Sequence, residues 1–334
     1  MRLSWLKAIG PFILAATLSV PAWAANAALP GTLNYVEGQA SAGDQSLSAQ
    51  SIGSVNLQPG EKLDTGNGKA EILLTPGVFL RIGQNSTAQM VSSSLTNTEA
   101  RLDQGQALVE VADIHKDNLL RIASDGATTQ LLKDGLYRFD ADHGQVQVFK
   151  GKALVQDGDQ SVKVKGGREV DLNSEVVKAR KFDKASYEQT DLYRFSNLRS
   201  QYLAEANANA ARIYYAGGPG WYGPGWYWDP FFASYTWIPG AGVWYSPFGW
   251  GFYSPAFYAA PIYYRGSYWH HGHYWQGYHP PRPVSPVVRP HGPLPRVVAS
   301  RPAMGFHALH AGGHFGMMGN GFHGGGFHGG DLHR

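Results

Sequence analysis

The sequence predicts a mainly β protein: an antiparallel β sandwich or flattened roll, followed by one long α-helix and an irregular or disordered C-terminal region rich in Gly, Pro, aromatic rings and His. Three observations predict it. From 29 to 180, apolar and polar residues alternate at period two between turn pairs. Residues 182–215 contain no Gly or Pro, and their apolar residues recur at spacings of three and four. At Gly217 the composition changes abruptly to Trp, Tyr, Gly and Pro.

Residues 1–24 precede these elements and read as a signal peptide. Arg2 and Lys7 stand before the apolar run AIGPFILAATLSV, and Ala22 and Ala24 frame a cleavage point. The run is short and is interrupted by Pro11, which disfavours a membrane-spanning helix; an uncleaved anchor is the alternative. Export to the periplasm or outer surface of a bacterium is the expectation. The chain contains no Cys, which excludes disulfides, thiolate metal sites and a Cys nucleophile. Core packing must therefore hold the exported domain together.

Within 29–180, Tyr137/Phe139, Val146/Val148, Val162/Val164 and Val170/Leu172 are each two apart, and His143-Gly144, Asp157-Gly158 and Gly166-Gly167 lie between them as turns. Roughly ten short strands are expected on this pattern. A weak repeat, VEGQA at 36, DQGQA at 103, FKGKA at 149 and a degenerate VKGGRE at 164, sets a Gly inside a strand pattern each time. Such a Gly indicates a bulge or a close backbone approach; no helix follows it to form a phosphate loop.

The order LDTGNGKAEILLTPGVFLRIGQNS, ARLDQGQALVEV, RIASDGATTQLLKDGLYRF, VQVFKGKALV and VKVKGGREVDL resembles the FecR domain, the periplasmic β-rich module of bacterial regulators of siderophore uptake. The family's Leu-x-x-Gly-x-Ala element falls on Leu102, Gly105 and Ala107, and its Gly-Thr-x-Phe element on Gly135, Leu136, Arg138 and Phe139. Pro76 stands where the family usually has Asp, and Leu136 where it usually has Thr. The resemblance implies the fold and a link to envelope signalling. Members that act as transmembrane anti-sigma factors carry a cytoplasmic sigma-binding segment and a spanning helix ahead of this domain. Here a signal segment is expected in that place, so signalling would depend on a partner.

Residues 182–215 are expected to form one amphipathic helix with Leu192, Phe195, Arg199, Tyr202, Ala206, Asn209 and Ile213 along its stripe, packed on a β face. Eight of the ten Trp residues then fall between Trp221 and Trp275, within the aromatic segment 217–279. Trp226, Trp228, Trp237, Trp244 and Trp250 are the candidate ligand-binding rings. Three readings stand for this block: sugar-stacking platforms on envelope polysaccharide, a contact for a protein partner or membrane interface, or an irregular extension of the core.

Residues 280–334 are low complexity, Pro-rich and then Gly/His-rich, and disorder is expected. Arg282 and Arg289 there are candidate contacts for anionic glycans or lipid headgroups, and nucleic acid is disfavoured by export. His307, His310, His314, His323 and His328 are candidate ligands for Zn, Cu or Ni, although their spacings fit no closed site. No cofactor is otherwise expected. Ser-elbow, zincin, phosphate-loop and dinucleotide motifs are missing, and His115 and His143 read as exposed turn residues. The expectation is a non-enzymatic envelope protein that binds or senses, or alternatively a structural component adhering to polysaccharide.

Overall fold

The computed structural model describes residues 28–215 and 221–258. Two sheets face each other, and the chain supplies strands to them in alternation. β1 (Leu33–Glu37) is in the first sheet, and β2 (Ala40–Ala42), β3 (Gln45–Ser46) and β4 (Lys62–Thr65) are in the second. β5 (Lys69–Leu73) and β6 (Val78–Ile82) return to the first, β7 (Ser86–Ser94) and β8 (Asn97–Gln104) to the second, and β9 (Gln106–Val111) to the first. β10 (Leu119–Ser124) and β11 (Ala127–Leu131) join the second, and β12 (Gly135–Asp140) and β13 (Gln145–Lys150) the first. β14 (Lys152–Asp157) and β15 (Gln160–Lys165) complete the second, and β16 (Arg168–Asp171) and β17 (Arg180–Lys181) the first. The first sheet runs β1-β5-β6-β9-β12-β13-β16-β17 and the second β15-β14-β11-β10-β8-β7-β4-β2-β3.

The sandwich is thus as expected, with more strands than the pattern suggested. The extra ones arise because a strand can end in one sheet and restart in the other after a single residue, leaving no visible loop. The repeated glycines occupy these corners: Gly38 between β1 and β2, Gly105 between β8 and β9, Gly151 between β13 and β14, and Gly166-Gly167 between β15 and β16. Gly105 has φ 76°, and a Cβ there would lie 2.1 Å from Ser86 Oγ and 2.7 Å from the Asn85 carbonyl oxygen. A positive φ and a close approach are both required, so only Gly fits. Among the described strands one pairing is parallel, β8 with β10, because β9 diverts to the other sheet between them.

Between the sheets lies an apolar core that includes Ile72, Leu80, Val109, Phe139, Val148 and Val164. Alternation then turns every second residue of β5, β6, β9, β12 and β13 toward the outer face of the first sheet: Leu73, Phe79, Leu108, Leu136 and Phe149, but also Glu71, Arg81, Glu110, Arg138 and Gln147. All of these are buried, so this face needs a cover.

The cover begins with the helical segment, which is two helices rather than one: α1 (Lys184–Glu188) and α2 (Asp191–Tyr215). Asp183 Oδ1 accepts the Ala185 N–H at 3.0 Å and caps α1. Thr190 breaks the run: its backbone N–H and hydroxyl both donate to the Tyr187 carbonyl oxygen, at 3.0 and 2.6 Å. The buried stripe of α2 also differs in part from the expected one. Leu192, Phe195, Arg199 and Ala206 are buried, whereas Asn209 and Ile213 are exposed and Ser196, Ser200, Leu203 and Asn207 take the inner face. Arg199 and Ser200 are accommodated there because the sheet below presents Glu71 and Glu110 to them, and Asn207 because it meets backbone groups of the following hairpins. No helix among the described residues is long and apolar enough to cross a membrane.

Two antiparallel hairpins complete the cover: β18 (Gly225–Asp229) with β19 (Ser234–Ile238), and β20 (Val243–Tyr245) with β21 (Gly251–Tyr253). The region expected to be irregular therefore contains regular structure up to Tyr253. Residues 246–250 turn between β20 and β21, with Ser246 N–H donating to the Trp250 carbonyl oxygen at 2.8 Å.

Candidate interaction site

The covered face is organised around a buried chain of charge. Arg81 on β6 donates through Nε to Glu71 Oε2 at 2.7 Å and through Nη1 to Glu110 Oε2 at 2.5 Å, and all three side chains are fully buried. From α2 above, Arg199 Nη2 donates to Glu71 Oε1 at 2.9 Å, and Ser200 Oγ to Glu110 Oε1 at 2.7 Å. Two acids and two bases balance in charge, which makes their burial tolerable.

The two acids differ. Burial alone would raise Glu71, but the flanking guanidiniums of Arg199 and Arg81 overcome it and hold the carboxyl at about 2. Glu110 meets one guanidinium; burial dominates there and lifts its pKa above the ordinary glutamate value, against Arg81 and Ser200. Glu71 is the firmly ionised member, and Glu110 takes a proton first.

Two buried asparagines tie the hairpins to this face. Asn34 Oδ1 accepts the Tyr235 N–H at 2.7 Å, while its Nδ2 donates to the Tyr235 carbonyl at 3.0 Å and to Glu71 Oε1 at 2.8 Å. Asn207 on α2 accepts the Tyr253 N–H at 2.6 Å and donates to the carbonyls of Trp237 and Tyr253 at 2.9 and 3.0 Å. Each amide satisfies backbone groups that a lone hairpin would leave without partners in an apolar setting.

The candidate rings separate on this frame. Trp237 is 1% and Trp226 7% exposed, packed with Leu73, Phe79, Leu203 and Phe252. Trp226 meets Phe79 edge-on at 5.1 Å, and Trp237 meets Phe252 at 5.6 Å. Trp228, Trp244 and Trp250 are half-buried on the rim. Trp228 lies edge-on to Tyr235 and would be 2.9 Å from a Cβ on Gly53, Trp244 lies edge-on to Trp237, and Trp250 Nε1 donates to Asn197 Oδ1 at 2.8 Å.

The more open rings are ones the sequence did not single out. Tyr222 is 75% and Phe231 84% exposed. Tyr222 and Trp221 each stack on Tyr227, at 5.0 and 5.5 Å, forming a short aromatic platform beside the end of α2, and Tyr227 Oη donates to the Gly223 carbonyl at 2.6 Å. Gly-Trp-Tyr-Gly-Pro before a hairpin was the available signal, but Tyr227 shows its role only once β18 is placed.

His143 stands at an exposed turn with Nδ1 2.9 Å from Asp140 Oδ1, and that carboxylate raises its pKa. Asp142 Oδ1 accepts the Gly105 N–H at 2.8 Å, a turn contact that needs no catalytic role. Among the described residues no three of His, Asp and Glu converge as a metal site. A cleft of about 330 Å³ between the ends of β8 and the β10–β11 turn is lined by Arg101, Asp103, Ser124, Asp125 and Thr128, with no aromatic ring. Arg282, Arg289, His307, His310, His314, His323 and His328 lie outside the described residues.

Two crystal structures of a candidate anti-sigma factor from Parabacteroides distasonis are similar to part of this chain. One, at 11% identity and TM-score 0.33, is covered over 60% of its length by 36% of this chain. The other, at 12% identity and TM-score 0.34, is covered over 63% by 38% of this chain. The chain thus spans about three fifths of the length of those solved chains. No curated protein matches it. Residues 61–154, from the start of β4 into β14 and spanning both sheets, match the family described as FecR protein. Over residues 61–154 of this β sandwich the chain is therefore similar to the FecR family.

Proposed function

We propose that the chain is an exported, non-enzymatic binding or sensing module of the bacterial envelope, built on its FecR domain and able to contribute to periplasmic signalling through a partner. The family match across both sheets carries this reading. The signal-like segment 1–24 supports export. The buried acids and bases support a non-enzymatic role, since Glu71, Arg81, Glu110 and Arg199 are engaged with one another and with α2. The test is fractionation of a tagged chain, followed by crosslinking in intact cells. Recovery in the envelope fraction, crosslinked to one envelope protein, is expected. Recovery in the cytoplasm, with an intact N-terminus, would overturn the reading.

A second reading is adhesion to envelope polysaccharide, favoured by the exposed Tyr222 and Trp221 stacked on Tyr227. Retention on insoluble cell wall that falls after Trp221→Ala and Tyr222→Ala would support it; retention unchanged by both would exclude the platform.

A further inference from the structure

One edge of the sandwich carries cations without acids to match. The second sheet ends in β15 and the first in β16 and β17, and the chain joins β15 to β16 directly through Gly166-Gly167. The neighbouring corner, Lys150-Gly151-Lys152, lies against this one: Gly166 N–H donates to the Gly151 carbonyl at 3.1 Å, and Gly167 N–H to that of Val148 at 2.7 Å. Lys150, Lys152, Lys163, Lys165, Arg168 and Lys181 are thereby gathered at one place, Lys152 half-buried and the others exposed.

Two registers place like charges directly opposite one another, Lys152 with Lys165 and Arg168 with Lys181. Such pairs destabilise a sheet. The nearby acids are engaged elsewhere: Arg180 takes Glu169 at 2.9 Å and Asp171 at 3.5 Å, Asp183 caps α1, and Asp134, whose carbonyl lies beside Gly151, has its carboxyl hydrogen-bonded to the backbone of Ile114. Among the described residues none of the six makes an ion pair. Asp157, at the hairpin end of β14, is five residues from Lys152, roughly 17 Å along the strand and beyond a Debye length at physiological salt.

Protection of an open sheet edge explains Lys163 and Lys165 on β15. It does not explain Lys150 and Lys152, on β13 and β14, which are paired on both sides. The unmatched charge points to an anionic partner. Its character is set by the side chains: five of the six are Lys, hydrated point charges spread along the edge, and the guanidinium of the one Arg, Arg168, donates to the Ala179 carbonyl, so no cluster of Arg forks is present to fix a single phosphate in one pose.

We propose that this edge, formed by β14, β15, β16 and β17 with the Lys150 corner, docks on the anionic, phosphate-bearing headgroups of a membrane surface. Attraction is additive over the lysines and screened by salt. It does not depend on which envelope partner the FecR domain has.

The test is co-sedimentation of the purified full chain with vesicles of phosphatidylglycerol and phosphatidylcholine in equal parts, against phosphatidylcholine alone. Binding to the anionic vesicles only, lost at high salt, is expected. Replacing Lys152, Lys163 and Lys165 by Gln should weaken it on the order of a hundredfold, at about fivefold per lysine. The same variant should melt no lower than the parent at low salt because a like-charge pair has been removed, so lost binding is not lost folding. Equal binding to neutral vesicles, or binding unchanged in the variant, would overturn the proposal. Displacement by soluble glycerol 3-phosphate at matched phosphate concentration would place recognition in a single-phosphate pocket and overturn it too. Retention on an acidic polysaccharide without vesicle binding would do the same.

Discussion

Replacing Arg199 by Met keeps the length and apolar stem of the side chain and removes one of the two cations that hold Glu71 ionised. Glu71 is fully buried. Lowering its carboxyl from 4.5 to about 2 corresponds to about 3 kcal/mol in favour of the charged form. Arg199 and Arg81 bring this about jointly against the burial penalty. With Arg199 gone, Glu71 retains Arg81 and Asn34 but loses the bond at 2.9 Å. The Arg199 guanidinium also lies 4.3 Å from the Tyr35 ring centroid, an interaction worth about 1 kcal/mol. The expected loss is about 3–4 kcal/mol, within the range for removing one partner of a buried pair. Urea denaturation followed by Trp emission measures it, because Trp226 and Trp237 are buried on this face. A cycle with Glu71→Gln should show a coupling of about 1.5 kcal/mol or more. A loss below about 1 kcal/mol, or two changes that add to within about 0.5 kcal/mol, would refute the network as the link between helix and sheet.

Glu71→Gln should lower neutral-pH stability by about 3 kcal/mol and flatten the acid limb of the stability curve. The folded pKa of Glu71 is depressed, so its contribution is present above about 4.5 and is lost as pH falls toward 2. Glu110, whose folded pKa is raised, acts with the opposite sign: its contribution is present at low pH and is lost as pH rises through that raised value. Glu110→Gln should therefore cost less at pH 7 than Glu71→Gln; the reverse order in chemical melts would contradict the assignment. Gly105→Ala should destabilise by about 3 kcal/mol or more, since steric overlap adds to the strain of its φ, while Gly126→Ala, also at positive φ but with open space around it, should lose about 1–2 kcal/mol. Equal effects would mean that the corner relaxes freely. Asn207→Ala strands the Tyr253 N–H and two carbonyls, and a loss of about 2–4 kcal/mol is expected in the same melts.

The sandwich was legible because alternation at period two marks strands whether or not their pairing is known, and Tyr137/Phe139 and Val146/Val148 do face the core. The repeated glycines were legible as close approaches. Their role as sheet-switching corners was not, because Gln104-Gly105-Gln106 looks like one continuous strand until β8 and β9 are seen in different sheets. Thr190 was hidden by a helical pattern that continues across it. The charge network was illegible for a deeper reason. Glu71, Arg81 and Glu110 sit in strands at positions that alternation assigns to solvent; Arg199 lay on the expected helix stripe but with no partner visible, and Asn207 fell outside that stripe. Only the pairing of those two faces shows that the polar side chains are buried together. The aromatic block was read as three open possibilities, and the buried placement of Trp226 and Trp237 corresponds to the one in which it extends the core.

Backbone hydrogen–deuterium exchange at Tyr235 and Tyr253 tests most directly the claim that the aromatic hairpins are part of the folded domain. Their amides donate to the side chains of Asn34 and Asn207, so both should exchange as slowly as amides of β9 and β12 at the centre of the first sheet. Exchange at the rate of exposed turns such as Asp157-Gly158, with β9 and β12 still protected, would show that the hairpins come away from the sheet and contradict the account.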